Sequence, residues 1–202
     1  TIFGAFQGSA ANGEDFIPAA IEAGAIAVVA RPEARVDGEI HIADANPRQA
    51  FAMIAARFFA PFPAHVAAVT GTNGKTSNVQ LLAEAFSNAG RKTGTIGTLG
   101  VGLFGNLKPG ERTTPDVISV HRSLAELQQA GAQVVAMEVS SHALDQARVA
   151  EVAFDTAVFS NLTQDHLDYH VTMQAYFEAK AKLFAWPGLR NAVINIDDDY
   201  GQ

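Results

Sequence analysis

The chain has 202 residues, of which 48% are hydrophobic and 17% are charged, a composition typical of a globular protein with a packed core. Its formal net charge of −7 argues against a surface that binds duplex nucleic acid, so we expect no nucleic-acid partner. It contains no cysteine, which excludes disulfides, thiolate metal sites and cysteine nucleophiles.

The first part of the chain predicts a small α/β domain over residues 1–62. Residues 1–6 predict a strand, Asp15 is expected to cap a helix over residues 16–23, and a second strand is predicted over 25–30. The long apolar stretch that ends there is interrupted by Glu22 and is too short to cross a membrane, so we expect no membrane span.

A second helix is predicted to begin at Asn46-Pro47, because asparagine caps helices and proline favours the first helical position. Its apolar residues Ala50, Ile54 and Phe58 recur every four residues, which predicts one buried face. The stiff sequence Pro61-Phe62-Pro63 then marks the predicted domain boundary.

Residues 63–202 predict a second α/β domain, in which apolar strands alternate with helices. The expected strands are 66–69, 93–96, 134–137, 157–159 and 192–194, and the expected helices are 76–88, 117–130 and 173–184. Continuous apolar strands with intervening helices favour a parallel sheet that is covered on both faces. Ligands of such sheets bind at the carboxyl ends of the strands.

The sequence Thr70-Gly71-Thr72-Asn73-Gly74-Lys75-Thr76 follows the first strand of this domain and precedes a helix. Glycines allow backbone N–H groups to approach phosphate oxygens at a helix N-terminus, where anions are favoured. Lys75 offers a charge to the phosphates and Thr76 offers a hydroxyl to Mg²⁺. The alternative is a glycine turn with a lysine that happens to start the helix.

Other polar residues follow the later strands. Glu138 ends an apolar strand, where burial is costly unless a cation such as Mg²⁺ pairs with it, although it could instead cap a helix or form an ion pair. His166 could ligate a metal or be a structural histidine, and Lys180 by itself suggests a solvated lysine. Thr113-Thr114-Pro115 favours a turn before a helix.

Taken together, six stretches resemble the Mur ligases of peptidoglycan synthesis, and among them the ligase that adds the third amino acid to UDP-N-acetylmuramoyl-L-alanyl-D-glutamate. They are Thr70-Gly71-Thr72-Asn73-Gly74-Lys75-Thr76-Ser77, Thr113-Thr114-Pro115, Met137-Glu138-Val139-Ser140-Ser141-His142, Asn161-Leu162-Thr163-Gln164-Asp165-His166-Leu167-Asp168-Tyr169-His170, Tyr176-Phe177-Glu178-Ala179-Lys180 and Asn195-Ile196-Asp197-Asp198. The resemblance implies an incomplete ATPase domain of the phosphate-loop type, preceded by an incomplete UDP-binding domain. It also implies a third domain, for the amino acid, that this chain lacks.

The resemblance further implies roles for individual residues. The expected ATP site comprises Gly71, Thr72, Asn73, Gly74, Lys75, Thr76 and Ser77, with Asn195 near the adenine. The expected magnesium ligands are Thr76, Glu138, His166 and Lys180, since the lysine at this last position is carbamylated in the family. Lys75, Glu138, His166 and Lys180 are the expected catalytic residues. The UDP-sugar peptide is expected to contact Thr113, Thr114, Ser140, Gln146, Arg148 and, in the first domain, Ser9.

The implied reaction is ATP-dependent amide formation through an acyl phosphate, with meso-diaminopimelate or L-lysine as the amino acid added. The alternatives are a sister ligase, such as MurF or folylpolyglutamate synthetase, and a nucleotide-binding module without ligase activity. We expect a cytoplasmic monomer that uses ATP and Mg²⁺, and we expect this chain alone to be inactive.

Overall fold

The computed structural model describes residues 1–8 and 11–202, which form two compact units, Thr1–Arg57 and Phe58–Gln202. The predicted domain boundary, after residue 62, lies slightly beyond the division between these two units and stays a prediction. Within the described residues, no helix combines the length and the apolar character needed to cross a membrane.

The first unit is built on a parallel sheet of three strands, in the order β1-β2-β3. Its strands are β1 (Ile2–Gly4), β2 (Ala27–Ala30) and β3 (Ile40–Ala43), and its helices are α1 (Ile17–Glu22) and α2 (Pro47–Phe59). Its core contains Ile17, Val28 and Ala30. The sequence pattern did not predict β3.

Two predictions for the first unit are wrong in detail. The helix expected over residues 16–23 is a 3₁₀ turn, Gly13–Phe16, followed by α1, and the capping side chain is Asn12, which accepts from the N–H of Glu14 at 3.2 Å. Asp15 lies inside that turn. The expected buried face of α2 is confirmed at Ala50 but wrong at Phe58, which is 79% exposed, and the helix also buries Ala52 and Ala55.

The second unit contains a seven-stranded sheet in the order β10-β9-β4-β8-β5-β6-β7. Its strands are β4 (His65–Thr70), β5 (Thr93–Gly97), β6 (Gly100–Leu103), β7 (Asn106–Lys108), β8 (Val134–Glu138), β9 (Thr156–Phe159) and β10 (Asn191–Ile194). The five strands β10, β9, β4, β8 and β5 are parallel, whereas β6 and β7 add an antiparallel edge. The sheet is therefore mixed, and the prediction of a purely parallel sheet is corrected.

Helices cover both faces of this sheet. They are α3 (Lys75–Asn88), α4 (Val117–Gln129), α5 (Ser141–Asp145), α6 (Leu167–His170) and α7 (Met173–Ala181). Alternate residues of β8 show the two faces, since Ala136 packs with Val79 of α3 while Met137 packs with Leu124 of α4. The one-turn helices α5 and α6 were not predicted. The helix expected over 173–184 ends at Ala181 and continues as a 3₁₀ turn, Lys182–Ala185.

Candidate functional site

The segment that joins β4 to α3, residues 70–76, has the geometry that binds anions. We call it the phosphate loop. Gly71 has a φ of 148° and Gly74, which caps α3, has a φ of 82°. A Cβ on Gly71 would overlap the hydroxyl of Ser160, so only glycine fits there. The first N–H groups of α3 have no acceptors within the helix, as at every helix start. They therefore form a donor cluster on a rigid turn.

Lys75 is the first residue of α3, and its side chain turns back onto this loop. Its Nζ donates to the carbonyl oxygens of Gly71 and Thr72, both at 2.9 Å. Burial lowers the pKa of Lys75, while the nearby carboxylates of Glu138 and Asp165 act in the opposite direction. The ammonium is thus held at the mouth of the loop, within reach of an anion that binds to the donor cluster.

A second loop, following β9, fixes the shape of the first. The N–H of Thr72 donates to Asn161 O at 2.9 Å, and the N–H of Asn73 donates to the side-chain oxygen of Asn161 at 3.0 Å. The hydroxyl of Ser160 donates to Asn73 O at 2.7 Å. Sequence reasoning did not identify Ser160, although its position directly after a predicted strand was a usable signal.

Glu138, at the end of β8, is 1% exposed and lies beside the phosphate loop. Its Oε2 accepts from the hydroxyl of Thr76 at 2.9 Å, and its Oε1 accepts from the N–H of Thr98 at 2.7 Å. A Cβ on Gly97 would overlap Oε1. In the part of the chain that the structure describes, no ion pair involves Glu138, so this buried carboxylate has the character of a cation ligand.

Lys180, on α7, is not a solvated lysine, because it is 2% exposed. Its Nζ donates to Gly71 O at 2.8 Å and lies 4.5 Å from the centre of the Tyr176 ring. Burial, followed by repulsion from Lys75, lowers the pKa of Lys180 to about 7. The lowered pKa favours the neutral, nucleophilic form of this amine.

His166, the N-cap residue of α6, has a left-handed conformation with a φ of 52°. Its exposed ring lies 4.8 Å from that of His142 and 5.9 Å from that of Tyr176, measured between ring centres. It forms no hydrogen bond with Glu138 or Lys180. Among residues 1–8 and 11–202, no group of three or more histidine, aspartate or glutamate side chains is arranged to hold a metal.

Five of the six residues expected to contact a UDP-sugar peptide belong to a hydrogen-bond network that reaches Glu138. The buried hydroxyl of Thr114 donates to Glu138 O at 2.9 Å and accepts from the N–H of Ser140 at 3.1 Å. Arg148 donates to the side-chain oxygen of Gln146 at 2.9 Å and to Thr114 O at 3.2 Å. The hydroxyl of Thr113 accepts from that of Thr98 at 3.0 Å.

Asn195 and Ser9 also have expected ligand contacts. Asn195, directly after β10, donates from its side chain to Ser160 O at 2.8 Å. It therefore lies near the loop after β9, which contacts the phosphate loop. Ser9 lies outside the described residues.

Comparison with known proteins gives a consistent family match. The family model of the Mur ligase middle domain matches residues 69–202. The chain is 53% identical, over 99% of its length, to UDP-N-acetylmuramoyl-L-alanyl-D-glutamate--2,6-diaminopimelate ligase of Xanthomonas campestris, and 50% identical, over its whole length, to the ligase of the same name in Pseudomonas aeruginosa.

A solved structure of a UDP-N-acetylmuramoyl-L-alanyl-D-glutamate--2,6-diaminopimelate ligase superposes on the entire chain with a TM-score of 0.88 at 36% sequence identity. The chain spans 41% of the length of that structure, and 41% and 42% of the two curated relatives. It therefore corresponds to less than half of each of these proteins.

Proposed function

Because the chain belongs to the Mur ligase family through its middle domain, we propose that the full-length protein is an ATP-dependent ligase of peptidoglycan synthesis. Its substrates would be UDP-N-acetylmuramoyl-L-alanyl-D-glutamate and 2,6-diaminopimelate, as the names of its relatives suggest. The observation that carries the proposal is the buried Glu138 carboxylate in contact with Thr76, the hydroxyl residue that ends the phosphate loop.

The phosphate loop would hold the polyphosphate of ATP. The N–H groups at the start of α3 would donate to its oxygens, and the Lys75 ammonium would exchange its contacts with Gly71 O and Thr72 O for contacts with the β- and γ-phosphates. Because Lys75 is half-buried on a fixed loop, it would stabilise the charge of the transferring phosphoryl group without reorganisation. Asn195 would lie near the adenine.

Thr76, Glu138, His166 and a modified Lys180 would hold Mg²⁺. Hydroxyl and carboxylate oxygens are ligands that this ion prefers, and Glu138 offers a buried carboxylate that has no other cation partner among the described residues. When bound, the ion would neutralise charge on the phosphoryl oxygens.

Lys180 would supply its carboxylate by carbamylation. The lone pair of its neutral amine would attack the carbon of CO₂, one C=O electron pair would move to oxygen, and the nitrogen would lose a proton to solvent. The lowered pKa of Lys180 favours the neutral amine that this step requires. The product is a carbamate, which turns a poor magnesium ligand into a suitable one.

The reaction would proceed in two steps. The D-glutamyl carboxylate would attack the γ-phosphorus of ATP and form an acyl phosphate, with ADP as the leaving group. An amine of the amino acid would then attack the acyl carbon, and phosphate would leave as the amide forms. Gln146 and Arg148, with Thr113, Thr114 and Ser140, would bind the nucleotide-sugar peptide, whose negative charge suits the guanidinium. The use of ATP and a nucleotide-linked acceptor favours a cytoplasmic location.

The proposal is tested by measuring phosphate release from the full-length protein with Mg-ATP and UDP-N-acetylmuramoyl-L-alanyl-D-glutamate. Diaminopimelate and L-lysine are offered separately. Release that requires both the acceptor and diaminopimelate supports the proposal. Release that requires the acceptor and L-lysine, and does not occur with diaminopimelate, reassigns the amino acid. Turnover only with the tripeptide or a folate acceptor would indicate a sister ligase, and nucleotide hydrolysis without any acceptor would indicate a nucleotide-dependent switch.

A further inference from the structure

His166 has a left-handed backbone conformation directly before a very short helix. It is a non-glycine residue with a φ of 52°, a backbone region that costs about 1 kcal/mol or more unless the surroundings enforce it. It is the N-cap residue of α6, which has only four residues, and isolated helices shorter than about 12 residues are marginal in water. Contacts outside the helix must therefore set the position of His166.

The N–H of His166 donates to the Asp165 side chain at 2.8 Å, and further contacts lie at the far end of the same turn. His170 donates its backbone N–H to His166 O at 2.9 Å, so the two residues belong to one hydrogen-bonded turn. The Nε2 atom of His170 lies 2.9 Å from the hydroxyl oxygen of Ser141, and both side chains are buried. Because this hydrogen bond is shielded from water, loss of either partner leaves an unsatisfied buried group.

A second anchor acts beside the first. The hydroxyl of Tyr169 donates to the side chain of Asp145 at 2.9 Å, and Lys182 donates to the other oxygen of the same carboxylate at 2.8 Å. Ser141 and Asp145 are the two ends of α5, which follows Glu138 closely in sequence. Lys182 follows Lys180 just as closely. The three segments that carry Glu138, His166 and Lys180 are thus joined at α5.

We propose that His170 is a positioning residue of the metal site: through Ser141 it fixes α6 on α5 and so aims the His166 ring. Tyr169 and Asp145 support the same docking. This inference rests on the proposed function, in which His166 is a magnesium ligand. Partners that orient metal ligands typically contribute 10- to 100-fold to metal affinity, which sets the size of the effect.

The test is a Mn²⁺ titration of the full-length protein in the presence of ADP, followed by electron paramagnetic resonance, together with the Mg²⁺ dependence of phosphate release. For His170→Leu we expect both the Mn²⁺ dissociation constant and the half-saturating Mg²⁺ concentration to rise about 10-fold or more. His170→Gln, whose amide can still bond to Ser141, should return to within about 3-fold of the wild type. The KM for diaminopimelate should stay unchanged in both variants.

Two further variants keep the inference falsifiable. Ser141→Ala removes the same hydrogen bond with a smaller change in the side chain. In the double variant it should raise the Mn²⁺ dissociation constant little beyond the value for His170→Leu alone. His65→Leu is the matched control, because His65 makes a 2.9 Å contact with Asp155 at the opposite end of β4. It should leave Mn²⁺ binding unchanged.

The outcomes separate the two proposals. If the wild type binds no Mn²⁺ with ADP, the proposed function fails. If the wild type binds Mn²⁺ but His170→Leu and Ser141→Ala bind it equally well, the positioning role is wrong. The same conclusion follows if His170→Gln is as impaired as His170→Leu.

Discussion

Replacing Lys180 with methionine should stabilise the protein while it abolishes the proposed ligase activity. The side chain is 2% exposed, and its pKa is lowered from 10.5 to about 7, chiefly by burial. Since one pKa unit corresponds to about 1.4 kcal/mol, the folded chain binds this proton about 5 kcal/mol less tightly than the unfolded chain. Methionine has a similar length and carries no charge, so it removes that penalty.

The sign of the pH dependence follows from the proton count. Between pH 7 and pH 10.5 the unfolded chain holds a proton on Lys180 that the folded chain does not hold. The Lys180 contribution therefore makes the free energy of unfolding rise with pH across this window and leaves it constant below pH 7. The advantage of Lys180→Met should accordingly be largest at pH 7 and below, and it should shrink as the pH approaches 10.5.

Urea denaturation of the full-length protein at about pH 7 and about pH 9.5, in CO₂-free buffer that prevents carbamylation, measures this difference. Titrating groups common to both proteins cancel in the comparison. Lys182→Met is the control, because its exposed ion pair with Asp145 is worth about 0–1 kcal/mol at either pH. A Lys180→Met protein with the same stability difference from the wild type at both pH values, or with full ligase activity, would refute the reasoning.

Three other substitutions test the site. Lys75→Ala should reduce the rate of phosphate release at least about 100-fold, the effect of losing one preorganised electrostatic contact, and an unchanged rate would contradict its role. Lys180→Ala should recover part of its activity when a short carboxylic acid such as acetate is added, whereas a variant that keeps the wild-type metal requirement and shows no recovery would argue against carbamylation. Gly97→Ala should raise the half-saturating Mg²⁺ concentration about 10-fold, because its Cβ would displace the Glu138 carboxylate. Gly110→Ala is its control, since a Cβ there meets nothing closer than 3.9 Å, and equal behaviour of the two variants would count against the Glu138 assignment.

The sequence predicted those parts of the fold in which local pattern and tertiary packing agree. An apolar run followed by glycines and a helix predicted the phosphate loop, and an acid at the end of an apolar strand identified Glu138. The hairpin of β6 and β7 was missed because β6 contains Gly100 and Gly102, and glycine weakens the strand signal. The face of α2 was predicted only in part, because Ile54 and Phe58 were expected inside with Ala50, whereas the helix buries Ala52 and Ala55 beside Ala50.

The contacts that assemble the site could not be predicted in this way. Ser160 contacts Asn73, and His170 contacts Ser141, although each pair is far apart in sequence. No spacing rule links such pairs, since the sheet order brings them together. The burial of Lys180 was equally invisible in its helix pattern, and only the family resemblance indicated a role for it.

The central claim is that ATP activates the acceptor carboxylate before the amide forms. It is tested most directly with UDP-N-acetylmuramoyl-L-alanyl-D-glutamate that carries ¹⁸O in the terminal D-glutamyl carboxylate. The full-length protein is given this acceptor with Mg-ATP and diaminopimelate, and the released phosphate is examined by ³¹P nuclear magnetic resonance. An acyl phosphate route places one ¹⁸O atom in each phosphate released. Unlabelled phosphate would mean that water, and not the carboxylate, attacks the nucleotide, and it would contradict the account.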